Sequence, residues 1–566
     1  MTAFIPPPPA HTSPSACPDR GYDGGTVPTR PALSDLRAAA SLLKVSPVST
    51  AAQEPHRPPS GAAPVGAAPV GPDRTLVERN GIDVIAESER TAAPHQLFWP
   101  WFAANVSVFG MSYGAWTLGF GISFVQAVIV SIIGIVVSFL LCGLIAIAGK
   151  RGSVPTMVLS RAAFGVHGQK VPGIVSWLTS IGWETMLAIS AVLATATVFE
   201  LLGLAHGTTV LVIAAVAIAA LIVAASVLGY HTIMRMQSML TWATGAFTIL
   251  FMILVIPHID LGAVMSMENG TVQQTVGALV MVMTGFGLGW INIAADWSRY
   301  QRRSTSDGAI VAWNTIGGSA APIILVTFGL LLAGSDADFA AQVGDDPIGA
   351  LATLLPLWAL IPFWIVAVLT LVSGAVLGIY SSGLTLLSLG VNIPRPAAAA
   401  IDGIILTLGT VWVVFFAQSF IAPFQSFLIT LGVPLASWAG ILIADILSRR
   451  ADYDEQALFD ARGRYGSIDW TSIGTMAVAS LVGWGLVVNS FAGEASWNNW
   501  QGYLLEPLGL GQWNAADGFW EGGWAYSNLG VLLSLVLSFL VTLVLRRGSI
   551  RRQEEGALGR GEGRRG

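Results

Sequence analysis

Residues 284–300 read TGFGLGWINIAADWSRY, and residues 99–116 read WPWFAANVSVFGMSYGAW. Both are apolar runs that are interrupted by glycines and by polar side chains. The interrupting residues are Gly285, Gly287 and Gly289 in one run, and Asn105, Ser107, Gly110, Ser112 and Gly114 in the other. A helix in a membrane must satisfy its own backbone hydrogen bonds, so such interruptions mark positions lined by protein or water. The two stretches therefore predict two broken membrane helices.

The rest of the chain has the composition of a membrane protein. Of its 566 residues, 54% are apolar and only 11% are charged, whereas roughly 25% of a soluble chain is charged. From Leu97 onward, apolar runs recur whose length, about 20 residues, lets a helix cross a hydrocarbon core about 30 Å thick. Twelve spans are predicted, at approximately 97–119, 123–147, 171–198, 208–228, 236–256, 275–295, 309–333, 358–388, 400–417, 422–447, 471–489 and 525–545.

The basic residues indicate the topology, because Lys and Arg collect in cytoplasmic loops. With the N-terminus placed inside, all 28 Lys and Arg residues fall in inner loops or tails. We therefore predict a multi-pass protein of the plasma membrane with both termini cytoplasmic. Residues 95–546 form the twelve-helix domain, and 547–566 form a basic tail. Residues 1–94 are a Pro/Ala-rich tail that is expected to be disordered, because it cannot bury enough apolar surface to fold.

The two broken spans are the first and the sixth, five helices apart. Paired broken helices in two five-helix halves are typical of transporters with an inverted repeat, in which the substrate binds near the membrane midplane. The predicted fold class is therefore all-α, with a five-plus-five inverted repeat, broken helices 1 and 6, and two C-terminal helices. For a single glycine, close helix packing is the commoner explanation. The pairing of the two clusters favours broken helices.

The third span, SWLTSIGWETMLAIS at 176–190, places Trp183 beside Glu184, the one carboxylate well inside a predicted span. Carboxylates inside membranes are costly and usually serve protons, cations or substrate amines. Burial disfavours the charged form, which suits Glu184 to carrying a proton. The alternative is a structural Glu bonded to a neighbouring helix. Trp183 can stack a heteroaromatic ring, or it is one of the tryptophans common at membrane interfaces.

Two further segments carry weaker signals. Asp296 and Arg299 at the inner end of the sixth span are three residues apart, so they can pair on one helical face. A gating or structural role fits them better than substrate binding, because the following arginines place them at the cytoplasmic surface. The segment 489–521 is rich in Trp, Gly and acidic residues and is predicted to be a loop over the outer face.

Taken in order, the motifs resemble the nucleobase cation symporter family, specifically its purine-cytosine permease branch. The motifs are ERNGIDVIAESER (78–90), WFAANVSVFGMSYG (101–114), LSRAAFGVHGQKVP (159–172), SIGWE (180–184), GFGLGWINIAADWSRY (285–300), GIYSSGLTLLSLGVNIPR (378–395) and ILIADILSRRADYDEQALFDARGRYGSIDW (441–470). The resemblance implies a twelve-helix symporter that imports a nucleobase or related nitrogen heterocycle by alternating access. It also implies that the ligand stacks between Trp183 and either Phe286 or Trp290, with the backbone of Gly285 and Gly287 at the ring edge.

Two departures from the family bear on specificity. Leu187 stands where many relatives have an amide one turn after the tryptophan, and Gly374 and Gly378 stand where relatives have asparagines. Polar groups of a site discriminate between substrates far more strongly than apolar shape does. We therefore expect a bulkier or differently substituted heterocycle to use the room left by the two glycines, with Glu184 as the compensating polar group.

The substrate-binding candidates are Asn105, Trp183, Glu184, Leu187, Gly285, Phe286, Gly287, Trp290, Gly374 and Gly378. For the coupling ion, Glu184 offers a proton site. Thr370 and Ser373, at i and i+3, offer two hydroxyls for sodium, in a partial match to the sodium-coupled relatives. The proton is favoured, because the purine-cytosine branch is generally proton-coupled. No other cofactor and no metal site is expected.

Two alternative functions fit the sequence less well. An amino-acid or amine and vitamin carrier on the same fold would use the first-span helix end and Glu184, but the motifs favour a nucleobase carrier. An integral membrane enzyme would need a cluster of His, Asp or Glu at one depth, and the seven histidines lie in tails or near span ends. The expected partners are a small heterocyclic substrate and the lipid bilayer, with no nucleic acid and no obligate protein partner.

Overall fold

The computed structural model describes residues 81–562 except 205–206, 227–229, 392, 418–419, 490–498 and 517. The predicted N-terminal tail therefore lies outside the described residues up to position 80. The rest of that predicted tail contacts the helical domain: Ile85 is buried, and the Arg90 side chain donates to Glu455 Oε1 at 2.8 Å.

The described residues are mostly helical. The α-helices are α1 (Phe98–Asn105), α2 (Phe109–Leu118), α3 (Phe124–Gly152), α4 (Thr156–Leu159), α5 (Arg161–Phe164), α6 (Lys170–Leu201), α7 (Thr208–Ser226), α8 (Tyr230–Val255), α9 (Leu261–Met265), α10 (Val272–Gly285), α11 (Gly287–Trp290), α12 (Asp307–Ser335), α13 (Ala337–Asp345), α14 (Gly349–Thr353), α15 (Leu357–Ser388), α16 (Arg395–Phe416), α17 (Ile421–Ser448), α18 (Trp470–Trp484), α19 (Leu529–Leu545) and α20 (Arg547–Glu562). Short 3-10 turns lie at Glu87–Glu89, Pro94–Leu97, Ile256–His258, Ile291–Ile293, Ser298–Tyr300, Ala457–Phe459 and Ala525–Ser527.

The membrane-helix pattern agrees with the predicted fold class. Among the described residues, nine helices are long and apolar enough to cross a membrane, and they coincide with predicted spans two to ten. Predicted span one corresponds to α1 and α2 together. Spans eleven and twelve correspond to α18 and α19, which are 15 and 17 residues long. The all-α membrane fold is confirmed, while the count of twelve stays a prediction.

Both predicted helix breaks are present. Helix α1 ends at Asn105 and α2 begins at Phe109, with Val106 outside helical geometry at φ −82° and ψ 69°. Helix α10 ends at Gly285, where Phe286 takes φ −112° and ψ −111°, and α11 continues for a single turn. Each break thus ends one helix and begins another inside one predicted span.

Around the breaks, long helices form the wall. Helix α6 packs along α15 and α16, α3 packs along α12 and α10, and α17 packs along α19. On the predicted outer side, α13 and α14 form a segment that we call the cover (residues 337–353). The cover is bonded to α2, because Ser112 Oγ donates to the Pro347 carbonyl at 2.7 Å and Trp116 Nε1 donates to the Val343 carbonyl at 3.3 Å.

Part of the predicted outer loop forms a small hairpin. Strands β1 (Gln512–Asn514) and β2 (Phe519–Glu521) pair antiparallel. The Trp520 side chain is buried in a small apolar cluster with Leu486, Val488, Leu505 and Ala525. Residues 490–498 and 517 of the same predicted loop lie outside the described residues.

A buried ionic cluster joins the C-terminal helices to α17 at the predicted cytoplasmic side. Asp445 is fully buried and accepts from Arg449 Nε at 2.6 Å and from Arg546 Nη1. Arg546 also contacts Asp469 Oδ2 at 3.4 Å. Removing one partner of such a buried pair is strongly destabilising. The pair between Asp445 and Arg546, the residue directly after α19, therefore stabilises the packing of α19 against α17.

Candidate functional site

A cavity lies where the two broken helices meet α6, α8 and α15. Its volume is about 90 Å³, counted as the space open to the centre of a water molecule. On that measure one water needs roughly 10–15 Å³, so the cavity holds several waters or one small planar ring. Nearly all of the sequence-predicted binding and ion candidates line it: Asn105, Trp183, Glu184, Leu187, Gly285, Phe286, Trp290, Thr370, Ser373, Gly374 and Gly378.

Three aromatic side chains of the cavity are candidates for stacking a flat ligand. Trp183 and Trp290 are half-buried, and Phe286 is buried. Within the described part of the chain, Trp183 makes edge-on ring contacts with Phe424 at 5.4 Å and Phe427 at 6.1 Å. It makes none with Phe286 or Trp290. The three candidate rings are therefore not stacked on one another: Phe286 packs on Tyr113 at 4.5 Å, and Trp290 meets Trp101 edge-on at 6.4 Å.

A cluster of aromatic side chains lies between the cavity and the cover. Tyr113 lies 4.5 Å from Phe286 between ring centroids, and its hydroxyl donates to the Gly285 carbonyl at 3.3 Å. The same cluster contains Phe109, Trp116, Phe420 and Phe424, with centroid separations from 4.8 to 6.5 Å. Phe109 and Tyr113 of this cluster line the cavity, and Trp116 bonds to the cover, so the cluster connects the two.

Glu184 is a fully buried carboxylate at the wall of the cavity. Neither of its oxygens has a hydrogen-bond partner of good geometry among the described residues. Its position depends on Gly378, because a Cβ there would lie 2.6 Å from Glu184 Cγ. Buried polar groups are normally hydrogen-bonded, so an orphaned carboxylate beside a cavity indicates a place where a ligand or a proton binds.

A second buried carboxylate, Asp402 of α16, bonds to α15 one turn from the residue against which Glu184 packs. Asp402 is fully buried and accepts from Ser382 Oγ at 2.6 Å and from Trp177 Nε1 at 2.8 Å. Glu184 packs against Gly378, which precedes Ser382 by one turn of α15. Sequence reasoning missed Asp402 because it falls at the predicted start of the ninth span. Carboxylates are common at the ends of membrane spans, so its position did not indicate a site.

The space beside the two glycines of α15 is partly filled by side chains of α6. A Cβ on Gly374 would lie 3.0 Å from Leu187 Cδ1, and one on Gly378 would lie 2.6 Å from Glu184 Cγ, although both glycines line the cavity. That a bulkier ligand uses this space stays a prediction, and such a ligand has to displace Leu187 or Glu184. Leu187 and Glu184 nonetheless remain at the cavity wall.

The polar groups of Gly287 and Asn105 are both hydrogen-bonded within the protein, but only Asn105 lines the cavity. The Gly287 N–H donates to Ser138 Oγ at 3.1 Å, and the Gly287 carbonyl accepts from Cys142 Sγ at 2.9 Å. Gly287 thus faces α3 in this structure and does not line the cavity. Asn105 donates through Nδ2 to the Trp101 carbonyl at 2.8 Å, which closes the last turn of α1 at the cavity edge.

The two hydroxyls proposed for sodium line the cavity as well. Thr370 Oγ1 lies 2.7 Å from Thr244 Oγ1 of α8 and donates to the Val366 carbonyl of its own helix. Ser373 lies one turn further along α15 and is buried. The hydroxyls share one wall of the cavity, and Ala103 and Ala104 of the first broken helix line it too.

Asp296 and Arg299 lie away from the cavity, in a stretch of turn and 3-10 geometry and not on the predicted helical face. Asp296 accepts from the N–H and the hydroxyl of Thr156 at 2.8 and 2.7 Å. Burial raises the pKa of Asp296, although the Thr156 donors and the Arg299 charge oppose the shift. Arg299 donates to Tyr380 Oη at 3.3 Å, which connects the sixth span to α15.

Asn292 is a polar cavity residue that sequence reasoning did not select. Its side-chain amide donates to Ser176 Oγ at 3.0 Å and to Ser180 Oγ at 3.1 Å, both on α6. The pair of serines one turn apart on the third span is the only sequence signal that could have pointed to it. In the described ranges, no group of three or more His, Cys, Asp or Glu side chains is placed to hold a metal ion.

Comparisons with known proteins agree with this architecture. Residues 84–505 match the family described as permeases for cytosine/purines, uracil, thiamine and allantoin. The Bacillus subtilis (strain 168) protein YxlA, which carries the name of a purine-cytosine permease, is 25% identical over 401 residues, covering 70% of this chain and 84% of YxlA.

Among solved structures, the fold is similar to that of Mhp1, a nucleobase-cation-symport-1 family transporter. The closed conformation with bromovinylhydantoin bound matches with a TM-score of 0.62 at 18% identity, covering 85% of this chain and 97% of that one. The inward-facing conformation also matches at 0.62, covering 86% and 95%. At this identity the similarity establishes a shared fold.

Proposed function

The chain belongs to the family of permeases for cytosine/purines, uracil, thiamine and allantoin, and we propose that it carries a nitrogen heterocycle through the broken-helix cavity together with a coupling ion. It is a multi-pass membrane transporter and a cation-coupled symporter that works by alternating access. We place it in the plasma membrane with both termini cytoplasmic, in keeping with the distribution of its basic residues.

One observation carries the proposal for the substrate. Three aromatic rings, those of Trp183, Phe286 and Trp290, line the cavity together with the Glu184 carboxylate, which has no hydrogen-bond partner among the described residues. Aromatic faces bind flat rings by stacking, and a buried polar group without a partner favours a ligand that supplies one. A flat heterocycle with polar edges meets both requirements.

In this chain, Glu184 replaces the amide that the resemblance places at the position of Leu187, one turn after Trp183. A protonated carboxyl offers one O–H donor and one acceptor oxygen, and a side-chain amide likewise offers both kinds of group. The –NH–C=O edge of an oxo-heterocycle, or the N=C–NH₂ edge of an amino-heterocycle, pairs with such a group through two hydrogen bonds. The substrate class that we propose is therefore a purine, pyrimidine or similar ring with one of these edges.

A proton is the favoured coupling ion. Glu184 must be protonated to present both a donor and an acceptor, so substrate and proton bind more tightly together than apart, which is the thermodynamic requirement for coupling. Sodium is the alternative. Its ligands would be the hydroxyls of Thr370 and Ser373, of which Thr370 is already bonded to Thr244 and Val366.

The test is a ligand screen on purified protein. Thermal stabilisation is measured with purines, pyrimidines, hydantoins, vitamins and amino acids, at two pH values and with or without sodium. We expect stabilisation by heterocycles that carry a donor–acceptor edge, stronger at the lower pH and indifferent to sodium. Stabilisation by amino acids alone would show that the substrate class is wrong.

Uptake into proteoliposomes gives the second measurement. Trp183→Ala should abolish saturable uptake, because it removes one stacking face. Trp470→Ala is the matched control, since Trp470 is 72% exposed at the start of α18 and outside the cavity. Equal uptake by the two variants would contradict a binding role for Trp183.

A further inference from the structure

Two buried carboxylates from different helices lie against α15 within one turn of each other. Ser382 donates to Asp402 Oδ2 at 2.6 Å, and Glu184 packs against Gly378, one turn earlier on α15. Neither Glu184 oxygen has a hydrogen-bond partner among the described residues. Two carboxylates so placed repel when both are charged, so together they favour holding a proton.

These residues form a series along the helices. Trp177 and Asp402 are each the eighth residue of their helix, and Ser382 lies six residues before the end of α15. With a rise of about 1.5 Å per residue, all three lie roughly 10 Å from the same end of the bundle. Glu184 lies roughly another 10 Å further along α6, at the cavity. The charge distribution makes the near end cytoplasmic.

We propose that Glu184, Ser382 and Asp402 form the proton pathway of this carrier, through which the cavity carboxyl exchanges its proton with the cytoplasmic side. This rests on the proposed proton-coupled function and adds Asp402 and Ser382 to it. In the transfer step, the O–H bond of Glu184 breaks and its proton bonds to Ser382 Oγ. The former Ser382 proton passes to Asp402 Oδ2, so that one proton moves and the serine stays neutral.

The pathway also explains why Glu184 sits where it does. Gly378 is one turn before Ser382 on α15, and only a glycine there lets Glu184 lie flat against the helix. A purely structural Asp402 would need no second carboxylate beside it. The structural alternative is that Asp402 holds α6, α15 and α16 together through Trp177 and Ser382.

The experiment uses the full-length protein in proteoliposomes. The probe is an equimolar mixture of labelled cytosine, uracil, adenine, hypoxanthine and guanine, all of which carry a donor–acceptor edge. A pH difference of one unit supports up to about tenfold accumulation when one proton moves per substrate. Three properties are measured: binding, exchange of labelled for unlabelled ligand across the membrane, and accumulation driven by external acid.

Asp402→Asn should keep binding and exchange but lose accumulation, with the internal-to-external ratio falling to about one. Ser382→Ala should show the same loss. Trp177→Phe is the matched control, because it removes the other hydrogen bond to Asp402 and leaves the carboxylate; it should accumulate like the wild type. Thermal unfolding of each variant checks that the fold is retained.

The outcomes separate the two levels of the proposal. If Asp402→Asn accumulates the probe like the wild type, or if Trp177→Phe loses accumulation to the same extent, the pathway is wrong and Asp402 is structural. If the wild type exchanges the probe but external acid drives no accumulation, the pathway again fails while heterocycle transport stands. If the wild type neither binds nor exchanges the probe, the proposed function itself fails.

Discussion

Gly378 gives the sharpest test of the site, because a single methyl group added there meets Glu184 directly. The Cβ of Gly378→Ala would lie 2.6 Å from Glu184 Cγ and 2.9 Å from Oε1. Carbon atoms in contact are normally about 3.5–4.0 Å apart. The Glu184 side chain must therefore move by about 1 Å, away from α15 and from the position it holds at the cavity wall.

The expected magnitudes differ for stability and for binding. Overpacking in a buried region costs about 1–3 kcal/mol, and alanine regains about 1 kcal/mol over glycine within a helix. The free energy of unfolding should therefore fall by no more than about 2 kcal/mol. A ligand that loses its hydrogen bonds to Glu184 loses about 1.5–3 kcal/mol, which weakens its affinity by roughly 10- to 150-fold.

The assay is equilibrium binding of the labelled nucleobase mixture to purified protein, with thermal unfolding measured in parallel. Gly383→Ala is the matched control, since it lies in the same helix and its Cβ would meet nothing nearer than Ala398 Cβ at 3.9 Å. That variant should bind normally and be slightly more stable. If Gly378→Ala binds as tightly as Gly383→Ala, Glu184 does not contact the ligand.

Three other changes give expected outcomes. Leu187→Gln adds the amide that relatives carry at the cavity wall. It should change the relative affinities among nucleobases by about tenfold or more, measured by competition binding. An unchanged ranking of the nucleobases would contradict a role of residue 187 in specificity. Arg546→Met takes one counter-charge from Asp445 and should destabilise the protein by about 3–5 kcal/mol without altering ligand affinity, measured by thermal unfolding and binding. Ser112→Ala removes the bond to the Pro347 carbonyl, worth about 1 kcal/mol, and should speed amide hydrogen exchange in the cover about fivefold; unchanged exchange would show that this bond does not hold the cover closed.

The broken helices could be predicted from sequence because their signal is local. Glycines and polar residues inside an apolar run affect the backbone at their own positions. The breaks at 106–108 and at Phe286 therefore fall within the two interrupted stretches of sequence. That Trp183 and Trp290 would line one site was implied by the resemblance to the nucleobase cation symporter family, and Glu184 was selected as the one carboxylate well inside a predicted span. The helix breaks themselves need no knowledge of which helices touch.

The side-chain contacts between helices could not be predicted from the sequence. Whether Gly374 and Gly378 leave space depends on the side chain that the neighbouring helix places against them, and that side chain is set by how α6 and α15 align. Asp402 appeared to be an ordinary residue near a span end until the fold brought Trp177, 225 positions earlier, within hydrogen-bonding distance.

The ionic cluster of Asp445, Arg449 and Arg546 sets a limit on how far the C-terminus can be shortened. A protein cut after Arg546 keeps both counter-charges of Asp445, whereas a protein one residue shorter leaves the buried carboxylate with Arg449 alone. Stability should thus change in a step between these two lengths. A tag or protease site belongs after Glu554, because Gln553 accepts a hydrogen bond from Arg449 and Glu554 accepts one from the backbone N–H of Arg450.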